Sequence, residues 1–491
     1  MSARVCIAIR ESSTEAARAA ASRACAWADL VEFRADYIPG LDVKRLFREK
    51  PCPALFTLRA RQEGGNYAGP EPDRIASIIE AAHAGADFVD VEFSAAWKTV
   101  LENVEPSQVI LSYHNFEETP EGLENRLDTM AASGAGILKI ATRARRLADN
   151  ARIACLLQHA RARGLQVLAL AMGRAGIPSR ILGGLWGSWA TFASLPGGES
   201  TAEGQIPADL LLKLYRFRDI GTRTHIYGVL GRPLGHSLSP RVHNAAFEAQ
   251  GRDAVFIPLE AESVQDFMEF QRACRLNGCS VTIPFKEQVR AILLSASATA
   301  NHIGAVNTLA TDGNGWRGEN TDVDGFLRPL IGRLELSRTR SVVLGSGGAA
   351  RAAVHALRSQ GSSVCVVARN AEKARGLAED LEAECAPWEE LRSIDWNLLV
   401  NATPVGMYPH VGESPVPPEC LTGKWVYDLV YNPAETRLLT DAARCGCKTI
   451  TGLEMFLGQA MRQQELWFGA QGPEEAMRAA LRQALAATTD H

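Results

Sequence analysis

Residues 137–141 read Ile-Leu-Lys-Ile-Ala, a lysine at the centre of an otherwise apolar and partly β-branched run. Such a run favours a strand, and Lys139 would then lie among residues that a folded chain buries. Comparable short runs flank it at 5–9, 30–36, 54–59, 87–93, 109–116, 166–172 and 189–194, which with 137–142 makes eight. The stretches between them, 15–30 and 73–84 for example, carry Ala, Leu, Glu and Arg at helical spacing. Eight strand–helix alternations in about 220 residues predict a (β/α)8 barrel, with a doubly wound open sheet as the competing arrangement.

Side chains two apart on a strand share a face. Glu32, Arg34 and Asp36 therefore point one way, as do Thr57 with Arg59, Asp90 with Glu92, and Ser112 with His114. Barrel interiors are normally filled by Val, Ile and Leu, and charges placed there cost several kcal/mol each unless paired or used. Polar groups converging from five strands near their C-terminal ends predict an active site. A lysine beside cations such as Arg34, Arg59 and Arg180 is expected to be a neutral amine near pH 7, able to attack a ketone and form an imine. His114 is the one histidine on an inward strand position, so it is the expected acid/base for the carbon next to that imine.

The pattern restarts at Tyr227 after the stretch 219–223. Residues 341–350, Ser-Val-Val-Leu-Gly-Ser-Gly-Gly-Ala-Ala, read as a strand entering a glycine turn and then an Ala-rich helix. Gly345, Gly347 and Gly348 suit a pyrophosphate resting on a helix N-terminus. The next strand, 363–368, ends at Arg369, where an acidic residue would suit NAD and an arginine suits the 2′-phosphate of NADP. The turns at 401–407 and 428–433 follow two further apolar runs and fit the same crevice. Lys286, at a helix start after 280–285, and Asp322, after Asn320-Thr321, form a pair able to pass a proton to an alkoxide as hydride arrives.

Bulk properties agree with a soluble enzyme acting on small molecules. The chain has 491 residues, 46% hydrophobic and 22% charged, with a formal net charge of −4. That balance gives no reason to expect nucleic acid or a membrane as partner. No apolar stretch approaches the roughly 20 residues of a membrane helix. The start reads as a strand rather than a secretion signal, so a cytoplasmic location is expected. Eleven cysteines show no metal-like spacing, so no metal is expected and free thiols are.

Over residues 1–220 the segments Val31-Glu-Phe-Arg-Ala-Asp36, Phe56-Thr-Leu-Arg59, Ser112-Tyr-His-Asn-Phe116, Leu138-Lys-Ile-Ala141, Met172-Gly173, Ser179-Arg180 and Gly204-Gln205 resemble type I 3-dehydroquinate dehydratase. The resemblance implies Lys139 as the Schiff-base lysine, His114 as general acid/base and Glu92 as the residue orienting it. It implies Glu32, Arg34, Arg59, Arg180 and Gln205 as substrate ligands, with Thr201 where the family's lid loop usually carries serine. No cofactor is implied for this half.

Over residues 225–490, Gly235-His-Ser-Leu-Ser-Pro240, Val281-Thr-Ile-Pro-Phe-Lys286, Ala305-Val-Asn-Thr308, Asn320-Thr-Asp322 and Gly452-Leu-Glu-Met455 with Gln459 resemble shikimate dehydrogenase. That resemblance implies substrate contacts from Ser237, Ser239, Thr282, Asn307, Tyr431 and Gln459, with Lys286 and Asp322 as the catalytic pair. It implies NADP held by Gly345, Ser346, Gly347, Gly348, Ala349, Arg369, Thr403, Gly452 and Met455, although the clamp that often reads Asn-Arg-Thr is here Ala368-Arg369-Asn370.

The expected architecture is α/β. A dehydratase barrel spans 1–221 and a substrate-binding domain spans 222–334, completed by helices in 453–491. A Rossmann-type NADP domain spans 335–452. The expected function is dehydration of 3-dehydroquinate followed by NADPH-dependent reduction of 3-dehydroshikimate to shikimate. The competing readings are an NAD-dependent quinate/shikimate dehydrogenase in the second half, and a non-catalytic sensor of quinate or shikimate.

Overall fold

The computed structural model describes residues 3–48, 50–198, 201–235 and 237–489, which leaves His236 of the motif 235–240 outside the described residues. The chain forms two compact units. One comprises Met1–Gly228, Arg232–Leu234 and Asp253–Leu276; the other comprises Val229–Gly231, Gly235–Arg252 and Asn277–His491.

Eight parallel strands dominate the first unit: β1 (Arg4–Ile9), β2 (Leu30–Arg34), β3 (Ala54–Thr57), β4 (Phe88–Glu92), β5 (Val109–Asn115), β6 (Ile137–Arg143), β7 (Val167–Met172) and β8 (Ala190–Ser194). Neighbours in sequence pair from β1 to β7, and β1 also pairs with β8, which a two-residue β9 (Ile206–Pro207) extends. Trp189 N, just ahead of β8, donates to Val167 O of β7 at 2.7 Å, so the arrangement curls round as a barrel rather than an open sheet.

The alternation of strand residues decides what fills the interior. At the strand starts the inward residues are apolar: Cys6, Leu30, Leu55, Ile110, Ile137 and Leu168 belong to one buried cluster. Two residues further along, the same face carries Glu32, Thr57, Asp90, Ser112 and Lys139, all buried. The barrel is thus plugged by hydrocarbon at one end and lined by charge at the C-terminal end of its strands, the end where barrels of this kind place their chemistry.

A mixed sheet comes next, built from β10 (His225–Gly231), β11 (Ala254–Glu260), β12 (Gly278–Val281), β13 (Leu293–Ala296), β14 (Thr308–Thr311) and β15 (Trp316–Glu319), in the order β11-β10-β12-β14-β15-β13. Its β12–β14 and β14–β15 pairs are antiparallel. The third sheet contains β16 (Arg340–Leu344), β17 (Ser363–Val367), β18 (Glu384–Ala386), β19 (Leu398–Asn401), β20 (Trp425–Asp428) and β21 (Lys448–Ile450). Its order is β18-β17-β16-β19-β20-β21 with all pairs parallel, which puts the reversal of strand order between β16 and β19. Ligands of such sheets lie beyond the strand C-termini at that reversal.

The helix Gly452–Phe468 leaves β21 and crosses the helix Asp322–Leu327 at Gly325. A Cβ on Gly325 would stand 2.6 Å from Met455 O and 2.7 Å from Gln459 N, so only glycine permits this approach. Among the described residues no helix is long and apolar enough to cross a membrane.

Candidate active sites

In the barrel, β5 and β6 pair with Ser112 opposite Lys139 and His114 opposite Ala141. His114 shares a face with Ser112, so the lysine and the imidazole are diagonal neighbours at the same mouth. Lys139 Nζ donates to Asp90 Oδ2 at 3.0 Å, lies 3.8 Å from Glu32 Oε1 and sits 4.6 Å from the centroid of the Phe192 ring. The amine therefore meets two carboxylates, whereas the sequence suggested a field of arginines. Arg59 is the nearest guanidinium to this cluster, and it is itself paired with Asp90 at 2.8 Å and Glu92 at 3.2 Å while donating to Ser112. Burial by itself would raise the Asp90 carboxyl; Arg59 first and Lys139 second overcome that and hold it far below the usual carboxylate range.

Burial, and after it the Arg59 charge, pulls His114 down to about 3, so its resting form at neutral pH is the uncharged imidazole. Glu92, the residue expected to orient the ring, is engaged by other groups: its carboxylate pairs with Arg59, accepts from Arg74 at 2.6 Å and accepts from Ala60 N. The carboxylate beside the ring is Glu63, whose Oε2 lies 3.4 Å from Nδ1, without hydrogen-bond geometry but close enough to favour a developing imidazolium. Burial raises Glu63 too, and its interaction with His114 reverses the shift to a lowered value. Phe116 stacks on the far face of the ring at 5.8 Å.

The remaining candidates surround this pair. Thr57 donates to Glu32 at 2.8 Å, and Arg34 forms a two-point pair with Asp36 at 2.9 and 2.8 Å. Arg180 is fully buried and donates to the carbonyls of Phe192 and Glu203 at 3.5 and 3.4 Å, and among the described residues its Nε has no hydrogen-bond partner. Burial pulls it down to about 10. Among the described residues it has no acidic partner, which suits a site for an incoming anion. Thr201 N and Oγ1 both donate to Gln205 Oε1, at 2.8 and 3.1 Å, tying the loop residue to the glutamine.

In the second unit, Lys286 Nζ donates to Asp322 Oδ2 at 2.5 Å, and Asn307 Nδ2 donates to the other carboxylate oxygen at 2.8 Å. Asn307 is fixed in turn by Thr321, whose backbone N donates to Asn307 Oδ1 at 2.8 Å. Thr282 N bonds Leu230 O at 2.9 Å, which anchors the segment leading to Lys286. Ser239 N lies 3.4 Å from Ser237 Oγ. Tyr431 packs on Phe456 with ring centroids 4.6 Å apart, while Gln459 Nε2 bonds Phe456 O of its own helix.

The residues expected to hold a dinucleotide gather beyond β16. Gly345 has φ +114° and a Cβ there would press on Ala402 O at 3.0 Å, so glycine is required by both conformation and space. Ser346 follows it, and a Cβ on Gly347 would meet no atom within 4 Å, which leaves the start of the helix Gly348–Ser359 open over Gly348 and Ala349. A Cβ on Gly348 would lie 3.3 Å from Lys286 Cδ, so this turn and Lys286 are adjacent. Thr403 Oγ1 is spent on Asn401 Oδ1 at 2.6 Å, and Gly452 presses against the carbonyls of Leu429 and Val430, with Met455 buried beside them. Arg369 is exposed just past β17; Asn370 instead caps the helix Ala371–Asp380 by accepting from Lys373 N at 2.9 Å. An open helix start with an exposed arginine one strand away fits a phosphorylated dinucleotide.

Glu63 and Asp90 are the residues that sequence reasoning did not assign. Asp90 was legible as inward-facing by parity, whereas Glu63 lies on the short helical turn Arg61–Glu63, where no strand period applies. Among the described residues no cluster of His, Cys, Asp and Glu could hold a metal, and all eleven cysteines are free.

Comparison with known proteins agrees with this division. The family model described as type I 3-dehydroquinase matches residues 5–222, the shikimate dehydrogenase substrate binding domain matches 229–309, and the shikimate 5′-dehydrogenase C-terminal domain matches 452–482. A chloroplastic bifunctional 3-dehydroquinate dehydratase/shikimate dehydrogenase of Arabidopsis thaliana is 35% identical over 91% of this chain and 79% of its own length. An NADP(+) shikimate dehydrogenase of Oleidesulfovibrio alaskensis is 40% identical over 53% of this chain and 96% of its own. A solved chorismate mutase/shikimate 5-dehydrogenase fusion protein from Clostridium acetobutylicum, 36% identical, covers 53% of this chain and 97% of its own at a TM-score of 0.50. With two complementary sites on one α/β chain and a two-part relative aligned over most of both lengths, the protein belongs to the family of bifunctional 3-dehydroquinate dehydratase/shikimate dehydrogenases.

Proposed function

We propose that the barrel dehydrates 3-dehydroquinate through an imine on Lys139 and that residues after about 222 reduce the resulting 3-dehydroshikimate with NADPH. The domain limits that go with this reading are 1–221, 222–334 with 453–491, and 335–452. The observation that carries it is the shared mouth of Lys139 and His114, diagonal neighbours on the paired strands β5 and β6.

Nζ of Lys139 adds to the substrate ketone, two of the ammonium protons leave with the ketone oxygen as water, and a protonated imine remains. The imine draws electrons and acidifies the neighbouring C–H, whose proton goes to the neutral His114 imidazole. Glu63 stabilises the imidazolium so formed. The released electron pair becomes a ring double bond as the hydroxyl one carbon further departs, taking the proton back from His114 as water. A second water then hydrolyses the imine and restores Lys139, so the net change is loss of one water. Arg180 is the natural seat for the substrate carboxylate, because burying that anion against a guanidinium with no acidic partner among the described residues satisfies both. No cofactor enters, since Lys139 itself is the electron sink.

In the dehydrogenase, Gly345, Ser346, Gly347, Gly348 and Ala349 would hold the pyrophosphate and Arg369 the 2′-phosphate. NADPH, when bound, supplies a hydride to the carbonyl carbon. Lys286 delivers a proton to the ketone oxygen as charge develops there, and Asp322, fixed by Asn307, holds that ammonium in place. Ser237, Ser239, Thr282, Tyr431 and Gln459 would contact the ring. The free thiols support a reducing compartment, the cytoplasm.

Borohydride with dehydroshikimate should add the mass of one reduced product to the wild-type chain and nothing to Lys139→Arg; an unchanged wild-type mass overturns the imine. Lys286→Ala should abolish NADPH oxidation and leave dehydration intact, and an equal fall in both would refute the division of labour. Initial rates with shikimate and quinate, each against NADP and NAD, test the cofactor, and Arg369→Ala should erase a preference for NADP.

A further inference from the structure

The first compact unit includes a segment from outside the barrel, Asp253–Leu276, which lies within the 229–309 match to the dehydrogenase substrate binding domain. Its helix Val264–Cys274 presents Asp266, a buried carboxylate that the mechanism does not use. Asp266 Oδ1 accepts from Ala148 N at 2.8 Å and Oδ2 from Leu147 N at 3.1 Å; Oδ2 also accepts from Glu262 N at 2.9 Å. Leu147 and Ala148 end the loop that leaves β6, the strand bearing Lys139, and they immediately precede the helix Asp149–Ala162. These are amides with no partner inside that helix, so Asp266 caps it from another part of the chain, with a charge suited to a helix N-terminus. A neighbouring pair, Arg146 with Glu269 at 2.7 Å, fastens the same two pieces.

The anchorage continues inward. Asn150, fully buried, donates to Leu147 O at 2.8 Å and to Ala175 O at 2.7 Å, and its oxygen accepts from Ser179 N at 3.0 Å. Ser179 Oγ donates to Gly176 O at 2.7 Å and accepts from Ala171 N of β7 at 2.8 Å. The next residue is Arg180. A chain of short, buried hydrogen bonds therefore runs from Asp266 through the 147–150 corner to the backbone that aims the guanidinium.

We propose that Asp266 is a positioning residue for the dehydratase, supplied by the dehydrogenase portion of the chain: it fixes the 147–150 corner and through it the placement of Arg180 for the substrate carboxylate. The proposal rests on the reading of Arg180 as the carboxylate holder. Removing the cap frees two buried amides and lets the corner relax, and small misplacements of a binding group cost affinity more than chemistry when the reacting atoms sit elsewhere.

The test uses the full-length chain with three variants: Arg180→Ala, Asp266→Ala and Asp266→Asn. Asp266→Ala should raise KM for 3-dehydroquinate by about tenfold and leave kcat within about threefold, with Asp266→Asn, which keeps one acceptor oxygen, between it and wild type. Shikimate oxidation, assayed on the same preparations, should stay within about twofold of wild type and report that the chain is folded. If Arg180→Ala raises KM while Asp266→Ala does not, the positioning role is wrong and the reading of Arg180 stands. If Arg180→Ala leaves KM unchanged, that reading itself is wrong and the proposal falls with it. Loss of both activities in parallel in both Asp266 variants would reduce Asp266 to a general structural residue and also overturn the proposal.

Discussion

Glu63→Gln removes the charge 3.4 Å from His114 Nδ1 and leaves the rest of the barrel's ion pairs untouched. Dehydration should slow about tenfold to a hundredfold with little change in melting temperature, because the lost term is stabilisation of an imidazolium that exists only during turnover. Glu92→Gln should do the reverse. It takes half of a buried pairing away from Arg74 and Arg59, which is worth roughly 3–5 kcal/mol when one partner is removed, and its signature is a lowered urea midpoint. Equal kinetic defects in the two variants would mean that the imidazole is not served by Glu63 alone. The difference between these carboxylates also marks what sequence can reveal. Lys139, His114 and Asp90 were legible because strand parity puts them on one face, and the structure keeps that parity. Glu63 sits past the end of β3 on a turn, and Arg74 comes from the helix Glu71–His83, so the exchange of partners around Glu92 depends on packing that no period records.

Elements meet at single residues whose substitution reads out the junction. Gly325 is where the helices Asp322–Leu327 and Gly452–Phe468 cross, and Gly325→Ala sets a methyl against backbone atoms that have no rotamer to escape with. The expected cost is about 1–3 kcal/mol, with a raised KM for shikimate because Asp322 and Gln459 sit on the two helices being pushed apart. Asp428 is a second junction: at the end of β20 it accepts from Asn401 Nδ2 of β19 at 2.9 Å, from Val430 N at 3.0 Å and from Thr436 Oγ1 at 2.6 Å. Burial pushes its carboxyl up to about 6, against an unfolded value near 4, so between those values the native state binds more protons than the unfolded one. Its contribution to stability is therefore present below about pH 4 and lost as pH rises through about 6. Thermal melts of Asp428→Asn and wild type should diverge from pH 5 to pH 7 in favour of the variant; parallel curves would show that the carboxyl is ordinary. The nucleotide sheet was readable from its glycine turn and following strands, since parallel buried strands announce themselves as apolar runs. The antiparallel set β12–β14–β15 was not, because its strands are four residues each and such runs carry too little periodicity to assign a partner.

At the scale of the whole chain, the order of the two activities was legible because each half carries its motifs in sequence, and family matches at 5–222 and 229–309 follow the same order. The grouping of Asp253–Leu276 with the barrel was not, since it depends on contacts more than a hundred residues apart, such as those of Asp266 with Leu147 and Ala148. Arg180 carries a wider consequence. On the proposed reading, a buried guanidinium with no acidic neighbour among the described residues carries an electrostatic cost that a bound ring carboxylate would offset. Any such ligand lends the fold its binding energy, about 2.7 kcal/mol at a hundredfold excess over Kd. 3-Dehydroshikimate, the product of the barrel, should consequently protect the barrel segment of the wild-type chain from proteolysis and should fail to protect that segment in Arg180→Leu, whose ligand-free barrel is the hardier of the two. The enzyme's own durability then follows the traffic through it: it survives longest when metabolite is abundant and wears out first when the supply runs dry.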